Sequence, residues 1–289
     1  MTIIGVIGAG QMGAGIAQVA AQSGYHTVLS DISLERAAAG KAGIASQLAR
    51  QVAKGKLAQN DADMVLLRIE PVADHAAFSP CDLVIEAATE REEIKRSIFA
   101  DVAAHLSPTA ILATNTSSIP ITRLAQAAPD ATRFIGVHFF NPVPIMGLIE
   151  IIRGLATSDA TLASVEAFGQ SLGKEIVHAQ DAPGFIVNRV LMPMINEAVF
   201  ALGEGVASMA DIDTACRLGL NHPMGPLTLA DFIGLDTCLE IIRVLHSGTG
   251  DPKFRPAPLL VKYVEAGWLG KKAGRGFYDW SGAEPVPTR

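Results

Sequence analysis

A chain of 289 residues is long enough for two domains, and with 49% of them apolar it can bury a core, which excludes large-scale disorder. A formal net charge of −6 with no basic block excludes nucleic acid as the main partner. Cys81, Cys216 and Cys238 are scattered and odd in number, which argues against a disulfide frame or a metal site and for a reducing, cytoplasmic setting.

The first element, Thr2 to Ile7, is an apolar, β-branched strand pattern that starts directly after Met1, so no targeting leader is expected. Gly8-Ala9-Gly10-Gln11-Met12-Gly13 follows, then a run of small residues to Ala21, then a second apolar run, Val28 to Ser30, that stops at Asp31. Strand, glycine turn, helix, strand and acid make a dinucleotide-binding pattern. Gly8 permits the tight turn, Gly10 lets the backbone approach a pyrophosphate, and Gly13 lets the helix pack closely on the strand. The helix N-terminus offers unpaired N–H groups to the phosphates. Asp31 is placed to accept hydrogen bonds from the adenosine ribose, and its charge argues for NAD over NADP, with Arg36 the nearest cation.

Ser33 to Lys56 reads as a long helix, with Arg50 and Lys54 four residues apart on one face; from spacing alone this is a solvated basic stripe. A helix over 63–67 and a short strand over 69–72 follow. Leu83 to Ala87 and Ala110 to Thr114 are buried-strand patterns on either side of a charged helix from Glu90 to Leu106. Asn115-Thr116-Ser117-Ser118 then falls at the strand edge where open α/β sheets place ligands. Arg133 to Phe139 and Leu148 to Ile152 are strand-like, the second with Glu150 alone in an apolar run. Such an acid either faces solvent on an edge strand or is buried with a partner. A helix from Ser158 to Leu172 and a strand over 175–177 complete the alternation.

After Pro183-Gly184 the pattern becomes helix after helix: Phe185 to Gly205, a start at Ser208 with Asp211 at its third position, Pro226 to Leu245, and Ala257 to Ala266. The apolar stretch Val190 to Val206 carries Asn196, Glu197 and Glu204, so no membrane span is expected. A basic glycine turn, Gly270 to Gly276, leads into an aromatic strand or arm at Phe277-Tyr278. The expected architecture is a Rossmann-like, doubly wound, mainly parallel α/β domain over 1–182, followed by an all-α domain over 183–289.

A nicotinamide-dependent alcohol oxidation needs a base for the hydroxyl proton and donors around the oxygen. Histidine is the residue type suited to that proton transfer, and His138 has an acid twelve residues on, across a Pro-rich turn, that can lie beside it and hold its tautomer. A lone His or a lone Glu is more often a satisfied core residue. Their combination after a dinucleotide unit shifts the balance.

The chain resembles the L-3-hydroxyacyl-CoA dehydrogenase family, and within it the short, single-function 3-hydroxybutyryl-CoA dehydrogenases. The resemblance is carried by the glycine turn and its helix to Gln18, by Asn115-Thr116-Ser117-Ser118, His138-Phe139-Phe140-Asn141-Pro142 and Pro183-Gly184-Phe185-Ile186-Val187-Asn188-Arg189. His222-Pro223-Met224-Gly225-Pro226, Asp231-Phe232-Ile233-Gly234-Leu235-Asp236 and Gly274-Arg275-Gly276-Phe277-Tyr278 extend it through the second domain. The resemblance implies that His138 is the catalytic base, Glu150 its partner, and Ser117 and Asn188 donors to the substrate oxygens. It implies NAD held by the glycine turn and Asp31, with Glu90, Lys95, Asn115 and Ser117 along the ribose and nicotinamide side. It also revises Arg50 and Lys54 into contacts for the CoA moiety of an acyl-CoA, and makes the helical domain a substrate and homodimerisation domain.

Two positions depart from the family pattern: Arg50, where Lys is common, and Met146-Gly147, where Met-Lys is common. A dehydrogenase of free β-hydroxy acids resembles a different motif set, with a catalytic Lys in its second domain. A crystallin-like structural relative that keeps only dinucleotide binding is opposed by intact Ser117, His138, Glu150 and Asn188.

Overall fold

The computed structural model describes residues 2–288, in two compact units, one ending at Ala182 and the other beginning at Pro183. The first is built on eight strands: β1 (Ile3–Ile7), β2 (His26–Ser30), β3 (Ile69–Val72), β4 (Leu83–Glu86), β5 (Ile111–Thr114), β6 (Phe134–Phe139), β7 (Leu148–Arg153) and β8 (Glu175–Ala179). Their order in the sheet is β3-β2-β1-β4-β5-β6-β7-β8. Every neighbouring pair is parallel except β6 and β7, which run antiparallel with His138 opposite Glu150.

The central strands are near-continuous apolar runs because both faces of a parallel sheet are covered. The covering helices are α1 (Gln11–Gln22), α2 (Leu34–Ala53), α3 (Gln59–Leu67), α4 (Glu92–Ala103), α5 (Ile121–Leu124) and α6 (Asp159–Ser171). Ile4, Val6, Leu29 and Ile85 of the sheet share one buried cluster with Ile16 of α1 and Ile44 of α2. Strand order reverses between β1 and β4, and that switch point opens a crevice at the strands' C-terminal ends, where β1, β4 and β5 release the polar loops. Helix α3 begins four residues earlier than the pattern suggested, because Asn60, Asp61 and Ala62 continue the helix instead of breaking it.

The second unit contains α7 (Val187–Gly203), α8 (Met209–Gly219), α9 (Pro226–Ile233), α10 (Leu235–Thr249) and α11 (Pro258–Glu265). Helix α7 is shorter than expected, since Phe185 has a φ of 50° and lies outside the helix. Ser208 caps α8, accepting the Asp211 amide proton. The single helix expected over 226–245 is two, because Gly234 sits at a φ of 102° that ends α9 before α10 starts. Glycine adopts that angle without the steric penalty of a Cβ. The aromatic arm forms a two-residue ribbon of β9 (Tyr278–Asp279) and β10 (Val286–Pro287).

Two buried acids tie this arm to the helices. Asp231 of α9 accepts from the Phe277 and Tyr278 amides and the Trp280 indole, each at 2.9 Å. Asp213 of α8 accepts from the Tyr278 hydroxyl at 2.8 Å and from the first amides of α9. Burial pushes the Asp231 carboxyl up, and the three donors only partly offset it. Among the described residues no helix is long and apolar enough to cross a membrane.

Candidate active site

Backbone demands build the dinucleotide end of the site. Gly8 turns at a φ of 98° and donates its amide to the Ser30 carbonyl at 2.8 Å. A Cβ on Gly13 would run into the Gly8 carbonyl oxygen, so the helix can approach the turn only with glycine there. A Cβ on Gly10, by contrast, would meet nothing, so the space beside this backbone is open. No side chain caps α1 and no acid occupies its first turn, so its leading N–H groups are available to an anion. A groove of about 430 Å³ runs from this turn between α1 and α2, lined by Gly10, Gln11, Asp31, Arg36, Gly40 and Gly43 among others; Met12 is half-buried and packs against the core of the domain. These features fit a dinucleotide.

Asp31, at the end of β2, is tied to the turn itself: it accepts from the Ala9 amide at 2.8 Å, from its neighbour Ile32 at 2.8 Å and from the Arg36 guanidinium at 3.0 Å. Burial raises its carboxyl, but the two amides and Arg36 together outweigh it and hold the group below the ordinary carboxylate range. A folded-state value below the unfolded one means that Asp31 contributes its full stability above about pH 4 and loses it as pH falls through the depressed value. Asp31→Asn is therefore expected to flatten the fall of Tm with acidification below that pH, measured by thermal melts from neutral to acidic buffer. Parallel Tm curves for parent and variant would refute the account.

The β4 and β5 ends carry a charged chain of contacts. Glu86 is fully buried and binds the ammonium of Lys95, which is 1% exposed, at 2.6 Å; Glu86 also accepts from Thr114 Oγ1 at 2.8 Å and the Ala88 amide at 2.8 Å. Lys95 lies 3.8 Å from Glu90 as well. The Thr116–Ser118 loop wraps one Glu90 oxygen, which accepts from the Thr116 and Ser117 hydroxyls at 2.7 and 3.0 Å and from the Ser117 amide at 2.8 Å. Asn115 accepts the Phe139 amide at 2.8 Å, joining this loop to the residue after His138.

His138 and Glu150 face each other across β6 and β7, Nδ1 to Oε2 at 2.7 Å, with His138 buried and Glu150 wholly so. Of the two possibilities for the acid in β7, the structure realises the buried, partnered one. The Phe140 ring stands 4.5 Å from the imidazole. The connecting loop is held by Lys174, whose ammonium donates to the carbonyls of Val143 and Met146 at 2.7 and 2.6 Å. Burial lowers the Lys174 pKa. Val143 packs beneath Gly15 of α1, so the loop rests on the dinucleotide helix. A Cβ on Gly147 would enter open space, so packing does not demand glycine at this departure from the family pattern.

Arg50 in the last turn of α2 and Lys54 at its C-cap are exposed, and Arg50 donates back to the Ser46 carbonyl; among the described residues no hydrogen bond or ion pair ties them to the β4–β6 loops. Asn188 belongs to the second unit, buried in the first turn of α7. Among the described residues no cluster of His, Cys, Asp and Glu could hold a metal ion. Glu86 and Lys174 are functional-site neighbours that no sequence motif marks. For Glu86 the same signal was present as for Glu150, a single acid in an apolar strand.

Residues 3–182 match the family model for the 3-hydroxyacyl-CoA dehydrogenase NAD binding domain, and residues 184–280 the model for its C-terminal domain. A 3-hydroxybutyryl-CoA dehydrogenase of Bradyrhizobium diazoefficiens is 57% identical over 99% of this chain and 98% of its own length. A probable 3-hydroxybutyryl-CoA dehydrogenase of Bacillus subtilis is 52% identical over 95% of this chain and 96% of its own. The crystal structure of an (S)-3-hydroxybutyryl-CoA dehydrogenase from Ralstonia eutropha, 49% identical, superposes with a TM-score of 0.95 over 98% of this chain and 100% of that one.

Proposed function

The chain belongs to the 3-hydroxyacyl-CoA dehydrogenase family, and from that premise we propose that it acts on a short-chain 3-hydroxyacyl-CoA / 3-ketoacyl-CoA pair, 3-hydroxybutanoyl-CoA and acetoacetyl-CoA. It is an NAD-dependent oxidoreductase. The observation that carries the chemistry is the buried His138–Glu150 pair at 2.7 Å. A carboxylate only accepts hydrogen bonds, so Nδ1 donates and the neutral imidazole has its lone pair on Nε2.

Nε2 takes the substrate hydroxyl proton in oxidation and returns it to the carbonyl oxygen in reduction, while Glu150 stabilises the imidazolium between the two events. Bound NAD(H) supplies the acceptor or donor of hydride at C3. The Ser117 hydroxyl, whose single proton goes to Glu90 at 3.0 Å here, turns from that carboxylate to donate to the reacting oxygen, and Asn188 of α7 donates to the thioester carbonyl. Glu90, Lys95 and Asn115 support the ribose and nicotinamide side. Arg50 and Lys54 meet the CoA phosphates, a role that their exposure permits. The chemistry is mainly positioning plus one proton transfer.

The test is oxidation of NADH on adding acetoacetyl-CoA, with free acetoacetate as the control. Turnover of the thioester alone is expected, and turnover of the free acid alone would overturn the reading. We further propose a homodimer through the helical unit, where Val190, Val206, Leu218, Leu220 and Phe232 are exposed. Sedimentation at twice the chain mass is expected, and a monomer at micromolar concentration would exclude it.

A further inference from the structure

Asp31 has little capacity to spare. A carboxylate offers about four lone-pair positions, two on each oxygen. Oδ1 already accepts from the Ile32 amide and Arg36 Nε, and Oδ2 accepts from the Ala9 amide. One position remains on Oδ2 and none on Oδ1. A ribose diol that engages both oxygens must displace a donor, and two of the three are fixed backbone amides. Arg36 is the one that can leave. Its side chain is 63% exposed against 12% for Asp31, and an ion pair that open to water holds its geometry weakly.

The guanidinium does not go far when released. Arg36 sits in the first turn of α2 and lines the same groove as Asp31 and the glycine turn. Only its Nε is hydrogen-bonded to the described residues through its side chain, which leaves the Nη donors for a ligand. A planar guanidinium binds phosphate oxygens in pairs. The pair with Arg36 also cancels part of the charge by which Asp31 repels an anion at the ribose 2′ position. Glu35, the acid in the same helical turn, is exposed.

We infer that Arg36 sets the cofactor discrimination of this site: displaced from Asp31 it presents its Nη donors to a 2′-phosphate, so that the groove takes NADP(H) as a second, weaker ligand beside NAD(H). The inference rests on the reading that Asp31 meets the adenosine ribose. It turns a carboxylate that excludes NADP into one half of a two-residue selector, in which acid and base compete for the same 2′ substituent.

The test uses equilibrium binding without chemistry: calorimetric titration of the full chain with ADP-ribose and with 2′-phospho-ADP-ribose, which differ only in the 2′-phosphate. The parent is expected to bind both, ADP-ribose more tightly. Arg36→Gln should weaken the 2′-phosphorylated ligand by about tenfold relative to ADP-ribose, the loss of one charge-assisted phosphate contact. Arg36→Lys should recover part of that loss as a point charge. Asp31→Asn should weaken ADP-ribose and favour its 2′-phosphate. An unchanged ratio of the two affinities in Arg36→Gln overturns the inference, as does a parent that binds no 2′-phosphorylated ligand. If instead Asp31→Asn leaves ADP-ribose affinity at the parent level, the ribose reading of Asp31 itself fails.

Discussion

His138→Gln is expected to lower kcat by about 10²–10⁴-fold, the range that a positioned acid–base group contributes, while NADH still binds at the glycine turn. Gln keeps a polar side chain in the buried position but cannot take a proton. Glu150→Gln is the complementary experiment. It preserves shape and removes the charge that faces Nδ1 in a site where Glu150 has no exposed surface. Without that charge the imidazolium loses its counter-ion at the moment it forms, and the side-chain amide can also present an N–H to Nδ1 and reverse the tautomer. Both variants should lose kcat far more than cofactor affinity, read by steady-state turnover and by NADH fluorescence titration. If both turn over at near-parent rates, the pair is structural and the assignment of base and partner fails.

The second large effect is expected away from the proton. Glu86 and Lys95 form an ion pair at 2.6 Å in which neither side chain reaches solvent. Taking two charges out of water is costly, and their attraction offsets it only while both are present and their other hydrogen bonds are made. Glu86→Gln leaves a buried ammonium facing an amide, and the expected loss is about 3–5 kcal/mol. That is a large share of the about 5–15 kcal/mol by which domains are usually stable. Removing Lys95 as well, in Glu86→Gln/Lys95→Met, should recover much of the stability, because no uncompensated charge is then left inside.

Recovery of the fold should not bring back the function. Lys95 also stands 3.8 Å from Glu90, the acid that collects the Ser117 loop, and the double variant lacks that contact. Chemical denaturation gives the stability, and NADH titration gives the affinity. A single Glu86→Gln variant within about 1 kcal/mol of the parent would show that the pair is not an electrostatic unit.

The parts that could be read from the sequence are those whose cause is local. Gly8, through its own φ of 98°, and Gly13, through the Gly8 carbonyl five residues back, answer to local backbone geometry, and the alternation of apolar strands with polar helices predicts the mainly parallel sheet. The His138–Glu150 contact was also within reach, because a short loop between two strands invites a hairpin. Glu86 was not, although it too is a lone acid in an apolar strand. Its partner Lys95 comes from the following helix, and only the docked helix brings the ammonium beneath the sheet edge. The break at Gly234 escaped for another reason. A glycine inside a helical pattern is usually tolerated, and the pattern resumes at Leu235 in phase enough to hide a φ of 102°. Arg36 was visible as the nearest cation to Asp31, but that it binds the carboxylate is a matter of rotamer and exposure.

The reversal of β7 against β6 has a consequence for how the protein assembles. Contacts between parallel strands need a crossover and close late, since long loops must be ordered before the pairing is formed. Glu86 reaches Thr114 over 28 residues, and the glycine turn reaches Asp31 over 22. His138 and Glu150 are 12 apart and belong to one hairpin. Of these three links the His138–Glu150 contact spans the fewest residues, and its registration comes with hairpin closure instead of waiting for the whole sheet. Insertions elsewhere in the domain can shift the cofactor relative to it, but they cannot separate its two members.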